Sequence, residues 1–280
     1  MSESTVDPTP YLAAVVQMNS GSDAEGNWRQ AKELIDRAAG YGARWIGTPE
    51  NTPYLGPHHE KVRLAEDLDG PTCGRFANLA ARHGIHLLLG SFAEKAPAPG
   101  KCYNTSVLFD PQGQRLAVYR KIHLFDVELS AAVTFRESDT VEPGTESVTV
   151  PTDLGTFGLS VCYDLRFPEL YRRLVDQGAH LLTVPAAFTL TTGRAHWLPL
   201  LRARAIETQC WVLAPAQHGE HDDKGLRESF GHACLVDPWG QVVADAPDGP
   251  GLALAEVDLG KAEEVRRGIP VGEHRRITRY

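Results

Sequence analysis

Apolar residues along this chain recur by turns at the two-residue spacing of a strand and the 3.6-residue spacing of a helix, from end to end. Strands and amphipathic helices made this way bury their faces against each other, so the pattern demands a layered α/β architecture. Tyr11 to Met18 reads as a first strand. Residues 22–39 read as a helix with Trp28, Ala31, Leu34, Ile35 and Ala38 on one face and Gly40 beyond its end. Arg44 to Thr48 forms a short strand stopped by Pro49-Glu50, and Pro71 and Gly84 suit the two ends of a second helix. Strands are expected at 85–92, 102–109, 114–120, 146–150 and 156–162. A helix at 167–176, a strand at 179–184 and a long helix at 195–209 follow. Strands at 210–217, 229–236, 241–245 and 252–257 and a short helix at 259–267 complete the pattern.

Only residues 122–145 lack clear periodicity, a stretch of the kind that domains keep for function or disorder. No Ser/Gly-rich linker or charge run divides the chain, so one domain is expected over 1–280, its core at about 10–260. Two hairpin turns echo each other: Asp110-Pro111-Gln112-Gly113 and Asp237-Pro238-Trp239-Gly240. Proline pre-sets the second turn position and glycine permits the positive φ that follows. The echo suggests a pseudo-symmetric pair of sheets.

Net charge is −8 with a pI near 5.8, a diffuse acidic excess with no footprint for nucleic acid and no attraction to anionic lipid. No apolar run is long enough to span a bilayer, and Met1 to Pro8 is too polar for a secretory signal. Five cysteines, widely spaced and without a C-x-x-C pair, point to reduced thiols in a cytoplasm rather than disulfides or structural zinc. No G-x-S-x-G elbow, P-loop or G-x-G-x-x-G fingerprint is present.

Of those cysteines, Cys162 alone stands where a strand, residues 156–161, runs into a helix beginning near Arg166. Backbone N–H groups at such a helix start face the same space, which would favour a thiolate and offer donors to an oxyanion. A thiolate attacking an acyl carbon also needs a proton acceptor and a positive group. His123 has the best position among eleven histidines, while Glu50 and Lys121 each terminate a strand. Alone, each has a bland reading: a buried inert thiol, a solvated carboxylate, a surface lysine. His218-Gly219-Glu220-His221-Asp222-Asp223 has metal-like residue types but reads as a solvated hairpin loop.

Three ordered blocks, Thr48-Pro49-Glu50-Asn51, residues 119–126 around Lys121-Ile122-His123 and residues 161–169 around Cys162-Tyr163-Asp164, resemble the signature segments of the nitrilase superfamily of carbon–nitrogen hydrolases. Ala195-His196-Trp197, residues 201–209, Gly231-His232, residues 236–240 and His274-Arg275-Arg276 resemble its amidase branch, so the likeness covers nearly the whole chain. The resemblance implies a four-layer αββα sandwich without metal or organic cofactor. It also implies a homodimer or higher homo-oligomer, with the 261–280 tail at the dimer interface. It makes Cys162 the nucleophile that forms a thioester, Glu50 the general base and acid, and Lys121 the oxyanion holder beside the Tyr163 N–H. Glu137 is implied as a supporting carboxylate and His123 becomes scaffold. Arg166, Phe188 and Thr192 are the expected substrate contacts, although an internal salt bridge from Arg166 to Asp164 or Glu169 is an equal reading.

The expected reaction is hydrolysis of a small carboxylate-bearing amide with release of ammonia. Deaminated glutathione is the first substrate, ahead of α-keto dicarboxylic amides (an ω-amidase) and N-carbamoyl amino acids. A non-catalytic partner-binding subunit with the same fold is the alternative from another class. One departure from the branch stands out: Leu129-Ser130-Ala131-Ala132-Val133 replaces a loop that carries Pro and Gly in relatives, beside the pocket.

Overall fold

The computed structural model describes residues 9–130, 133–222 and 227–277. Along the first half run β1 (Tyr11–Met18), α1 (Ala24–Gly40), β2 (Trp45–Gly47), α2 (His58–Arg63), α3 (Pro71–His83) and β3 (His86–Lys95). They are followed by β4 (Cys102–Phe109), β5 (Arg115–Arg120), β6 (Asp126–Ser130), β7 (Val133–Arg136), β8 (Thr149–Thr152) and β9 (Gly155–Leu159). The second half contains α4 (Pro168–Asp176), β10 (Leu181–Thr183), α5 (Leu190–Thr208), β11 (Trp211–Ala214), β12 (Ala216–Glu220) and β13 (Glu228–Phe230). Last come β14 (Cys234–Val236), β15 (Val242–Asp245), β16 (Gly251–Val257), α6 (Leu259–Gly268) and α7 (Val271–His274).

One sheet has eight strands in the order β13-β12-β1-β2-β3-β4-β5, with β16 antiparallel beside β1; a second has six in the order β15-β14-β11-β10-β9-β8. Period-two alternation in β1 gives each face its partner. Ala14, Val16 and Met18 pack with Leu34 and Ile35 of α1 and Phe76 of α3, while Ala13 and Val15 turn toward the second sheet. The inner faces meet at Trp45 and Phe157, whose rings stack 5.8 Å apart at 10°. Such a pair adds about 0.5–1.5 kcal/mol beyond its burial. Helices α4 and α5 cover the outer face of the second sheet through Leu170, Leu174, Trp197 and Leu201. The layers are therefore helix, sheet, sheet, helix, as the resemblance implied.

Both echoing turns are built alike, one in each sheet. Gly113 N donates to Asp110 O at 2.9 Å and Gly240 N to Asp237 O at 2.8 Å. Each aspartate side chain accepts from the two following turn N–H groups. Their glycines sit at φ 78° and 86°, where a side chain would be strained.

Three elements depart from the sequence pattern. Residues 210–217, expected as one strand, split into β11 and β12 in different sheets, because Pro215 has no N–H to continue the ladder. Residues 229–236 split likewise, since Gly231 and His232 at φ 79° and 56° turn the chain from β13 into β14. Helix α5 begins at Leu190 rather than 195 because Gly193, which looks like a breaker, donates to Thr189 O and packs against Phe230. Within 122–145 lies the β6–β7 hairpin, followed by a 3-10 turn at Glu137–Asp139. Ala131 and Ala132, at the centre of the loop departure, and Met1 to Pro8 lie outside the described residues.

Candidate active site

Glu50 follows β2 by three residues and is held there by the backbone around it. The Thr48 N–H donates to Leu88 O at 3.0 Å, and Asn51, at φ 56°, donates its N–H to Ser91 Oγ at 2.8 Å. Strand β3 approaches this turn so closely that a Cβ on Gly90 would overlap the Thr48 and Pro49 carbonyls, so only glycine fits. The carboxylate is 3% exposed. Its Oε1 accepts from Asn104 Nδ2 at 2.8 Å and Lys121 Nζ at 3.0 Å, and its Oε2 accepts from Ala187 N at 2.9 Å.

Lys121 directly follows β5, its N–H on Asn104 O of β4 at 2.9 Å, and its side chain enters the same buried space. Glu137 enters from the 3-10 turn after β7. Lys121 Nζ lies 2.8 and 3.1 Å from the two Glu137 oxygens, and Phe125 N donates to Glu137 Oε2 at 2.7 Å. Asn104 Nδ2 also reaches Glu137 at 3.2 Å and so ties the two carboxylates together. Glu137 is buried in this cluster, not solvated.

Cys162 lies at the end of the extended segment after β9, at φ 51°, in a five-residue 3-10 turn rather than the first turn of α4. A non-glycine residue in the left-handed region costs about 1–3 kcal/mol and persists only when its surroundings hold it. Here Cys162 N donates to Pro185 O at 2.9 Å, while Val161 N donates to Asp164 Oδ2 at 2.9 Å. Buried Asp164 also accepts from Tyr119 OH at 2.7 Å and His123 N at 3.0 Å, and pairs with His123 Nδ1 at 2.7 Å. It thereby locks the Cys162 turn to the segment carrying Lys121. His123 stacks on Phe167 with ring centroids 3.7 Å apart, a scaffold position.

Electrostatics revise one expectation. Burial, and then the nearby Glu50 carboxylate, push the Cys162 thiol well above its ordinary value; Lys121 only partly offsets them. The resting sulfur is a thiol, not the thiolate expected from a helix N-terminus. Burial alone would favour neutral Lys121, but Glu137 and Glu50 outweigh it and hold the ammonium. Burial likewise opposes the Glu137 carboxylate, yet Lys121 and then Lys61 bring it down to about 2. A proton passing from Cys162 to Glu50 leaves the cluster's total charge unchanged and puts the new thiolate beside an ammonium.

A pocket of about 820 Å³, part of it open solvent, reaches these groups. Phe188 and Thr192, the expected substrate contacts, line it, and so does Tyr163. Arg166 does not: it lies over the Tyr163 and Phe188 rings and meets His196 Nδ1 at 3.2 Å, with neither expected carboxylate as its partner. His221, read as part of a solvated loop, is buried on the pocket wall between Ser20 O and Ser229 Oγ, at 2.7 and 2.8 Å. The carbonyl can only accept, so Nδ1 carries a proton. Asp223 of the same segment lies outside the described residues. Asn104 and Lys61 were missed; a buried asparagine on a strand of apolar residues was the available signal for the first.

A family model described as carbon–nitrogen hydrolase matches residues 12–267. A deaminated glutathione amidase from Synechocystis is 46% identical over 95% of this chain and 98% of its own length. The crystal structure of the Caenorhabditis elegans NitFhit protein superposes with a TM-score of 0.90 at 42% identity, over 95% of this chain; the chain spans 65% of that longer protein. That of Saccharomyces cerevisiae Nit3, from branch 10 of the nitrilase superfamily, superposes with a TM-score of 0.86 at 31% identity, covering 96% of this chain and 97% of its own.

Proposed function

The chain belongs to the carbon–nitrogen hydrolase family, an amidase among hydrolases of C–N bonds, and we propose that Cys162, Glu50 and Lys121 are its catalytic residues. The observation that carries this is one buried cluster at the end of a pocket: Glu50 hydrogen-bonds Lys121, and Cys162 lines the same pocket near enough for the Glu50 charge to act on its thiol. Cys162 Sγ attacks the amide carbon as its proton passes to Glu50. The carbonyl oxygen takes the negative charge and is held by Lys121, with the Tyr163 N–H as the second donor. In the resting cluster the Lys121 ammonium faces three carboxylate oxygens, so it turns one N–H from Glu137 to the oxyanion. Glu50 then protonates the leaving nitrogen, the C–N bond breaks and a thioester remains. Water attacks the thioester, giving its proton to Glu50, and the sulfur leaves. Removing one such oxyanion donor ordinarily costs about 10²–10³ in kcat.

The substrate is a small carboxylate-bearing amide, with deaminated glutathione first on the names of the relatives. A primary amide would release ammonia, whereas an amide inside a peptide-like compound would release an amine, so the leaving group reports the substrate class. α-Keto dicarboxylic amides and N-carbamoyl amino acids come next. No described helix is long and apolar enough to cross a membrane. The unpaired state of the five cysteines supports a cytoplasmic enzyme, and the family resemblance supports a homodimer with the 261–280 tail at its interface. Intact-mass spectrometry with these amides tests the mechanism. An acyl adduct on Cys162, absent from Cys162→Ala, is expected. Full activity of Lys121→Ala or Cys162→Ala would refute the mechanism, and no turnover of any of these amides by the wild type would favour the partner-binding alternative.

A further inference from the structure

Building on the carboxylate-bearing amide proposed above, we infer that Lys61, on α2, is the group that binds the substrate's carboxylate. The cations near the pocket can be accounted for one by one. Lys121 is held by two carboxylates, and Arg166 lies outside the lining, against aromatic faces and His196. Arg227 is engaged with Gly56 O at 3.1 Å. Lys61 also lines the pocket, and its ammonium makes no hydrogen bond or ion pair with any described residue.

Its placement is built. The Lys61 N–H donates to Pro57 O at 3.1 Å, and His58, one helical turn earlier, meets Thr140 Oγ1 at 3.2 Å. Helix α2 therefore sits against the segment that carries Glu137, and Lys61 is close enough to help hold Glu137 as a carboxylate. Phe125, Phe135, Leu55 and Phe188 supply apolar wall to the same pocket. An ammonium on the wall of a pocket that also holds the reacting groups fixes an anionic ligand's orientation as well as holding it. Glu228, also on the wall, is exposed on β13.

Glutaramate and valeramide, of similar length with and without a carboxylate, provide the test, using the full-length enzyme with Lys61→Met and Lys61→Arg. The ratio of their kcat/KM values is expected to fall at least tenfold in Lys61→Met, mainly through KM for glutaramate, and to recover in Lys61→Arg. As a readout independent of turnover, glutarate should protect Cys162 from iodoacetamide, with a protection constant weakened about tenfold in Lys61→Met. Equal losses on both amides together with unchanged protection would make Lys61 merely structural and overturn the inference. A wild type that prefers glutaramate while Lys61→Met keeps the preference refutes Lys61 alone. A wild type without that preference refutes the carboxylate-bearing substrate itself.

Discussion

Replacing Glu137 by glutamine removes one of the two charges that keep Lys121 protonated in a buried site. The Glu137 carboxyl lies at about 2 against an ordinary 4.5, chiefly because the Lys121 ammonium outweighs burial. That depression corresponds to about 3 kcal/mol of preference for the charged form. A folded-state value below the unfolded one stabilises the protein fully above 4.5 and loses that contribution as pH falls toward 2. At pH 3.5 roughly a third to a half of it should already be gone. Glutamine cannot titrate, so the stability gap between wild type and Glu137→Gln is expected near 3 kcal/mol at pH 7 and smaller by roughly a third to a half at pH 3.5. Asp36, Asp126 and Asp222 are also held low, but they titrate in both proteins and largely cancel in the difference. Urea unfolding of both proteins at pH 7, 5 and 3.5 measures the gap. The same gap at all three values would show that the charge of Glu137 does not stabilise the fold, and would refute the electrostatic account of the cluster.

Three further outcomes test neighbouring parts of the site. Asp164→Asn turns a buried oxygen that accepts hydrogen bonds into a donor facing Tyr119 or His123, and is expected to cost about 2–4 kcal/mol by thermal unfolding; an unchanged Tm would refute its role as the lock. Asn104→Leu removes the donor shared by Glu50 and Glu137, so kcat should drop about tenfold or more with KM little changed, and a loss confined to KM would contradict this. Cys162 should be the fastest of the five cysteines to alkylate because it alone of the five lines the pocket, though burial raises its thiol as it does the Cys73 thiol. Glu50→Gln should move the Cys162 alkylation profile to lower pH, since Glu50 helps hold that thiol up; an upward move would overturn the sign.

How much was legible in the sequence differs between elements for physical reasons. Helices α1 and α3 were readable because their buried faces follow the 3.6-residue period and Pro71 and Gly84 mark the ends of α3. The β11–β12 break was misread although Pro215 announces it, because the apolar run continues across the proline into a different sheet. The β6–β7 hairpin, with Phe125 and Phe135 tilted against each other at 5.4 Å, shows no strong alternation and escaped notice. His221 looked solvated because its neighbours are polar, yet its ring is buried against Ser20, 201 positions away.

Local pattern alone determined the layers, the turns and the three strand ends that carry Glu50, Lys121 and Cys162, since periodicity and turn chemistry act over a few residues. What those ends do together was decided by tertiary structure. Only packing brings Asn104 and Glu137 to Glu50 and Lys121, keeps the Cys162 sulfur a thiol by burial and the Glu50 charge, and turns Arg166 away while leaving Lys61 in the pocket. Charge and burial are properties of neighbours in space, and in this fold those neighbours lie tens to hundreds of residues apart along the chain.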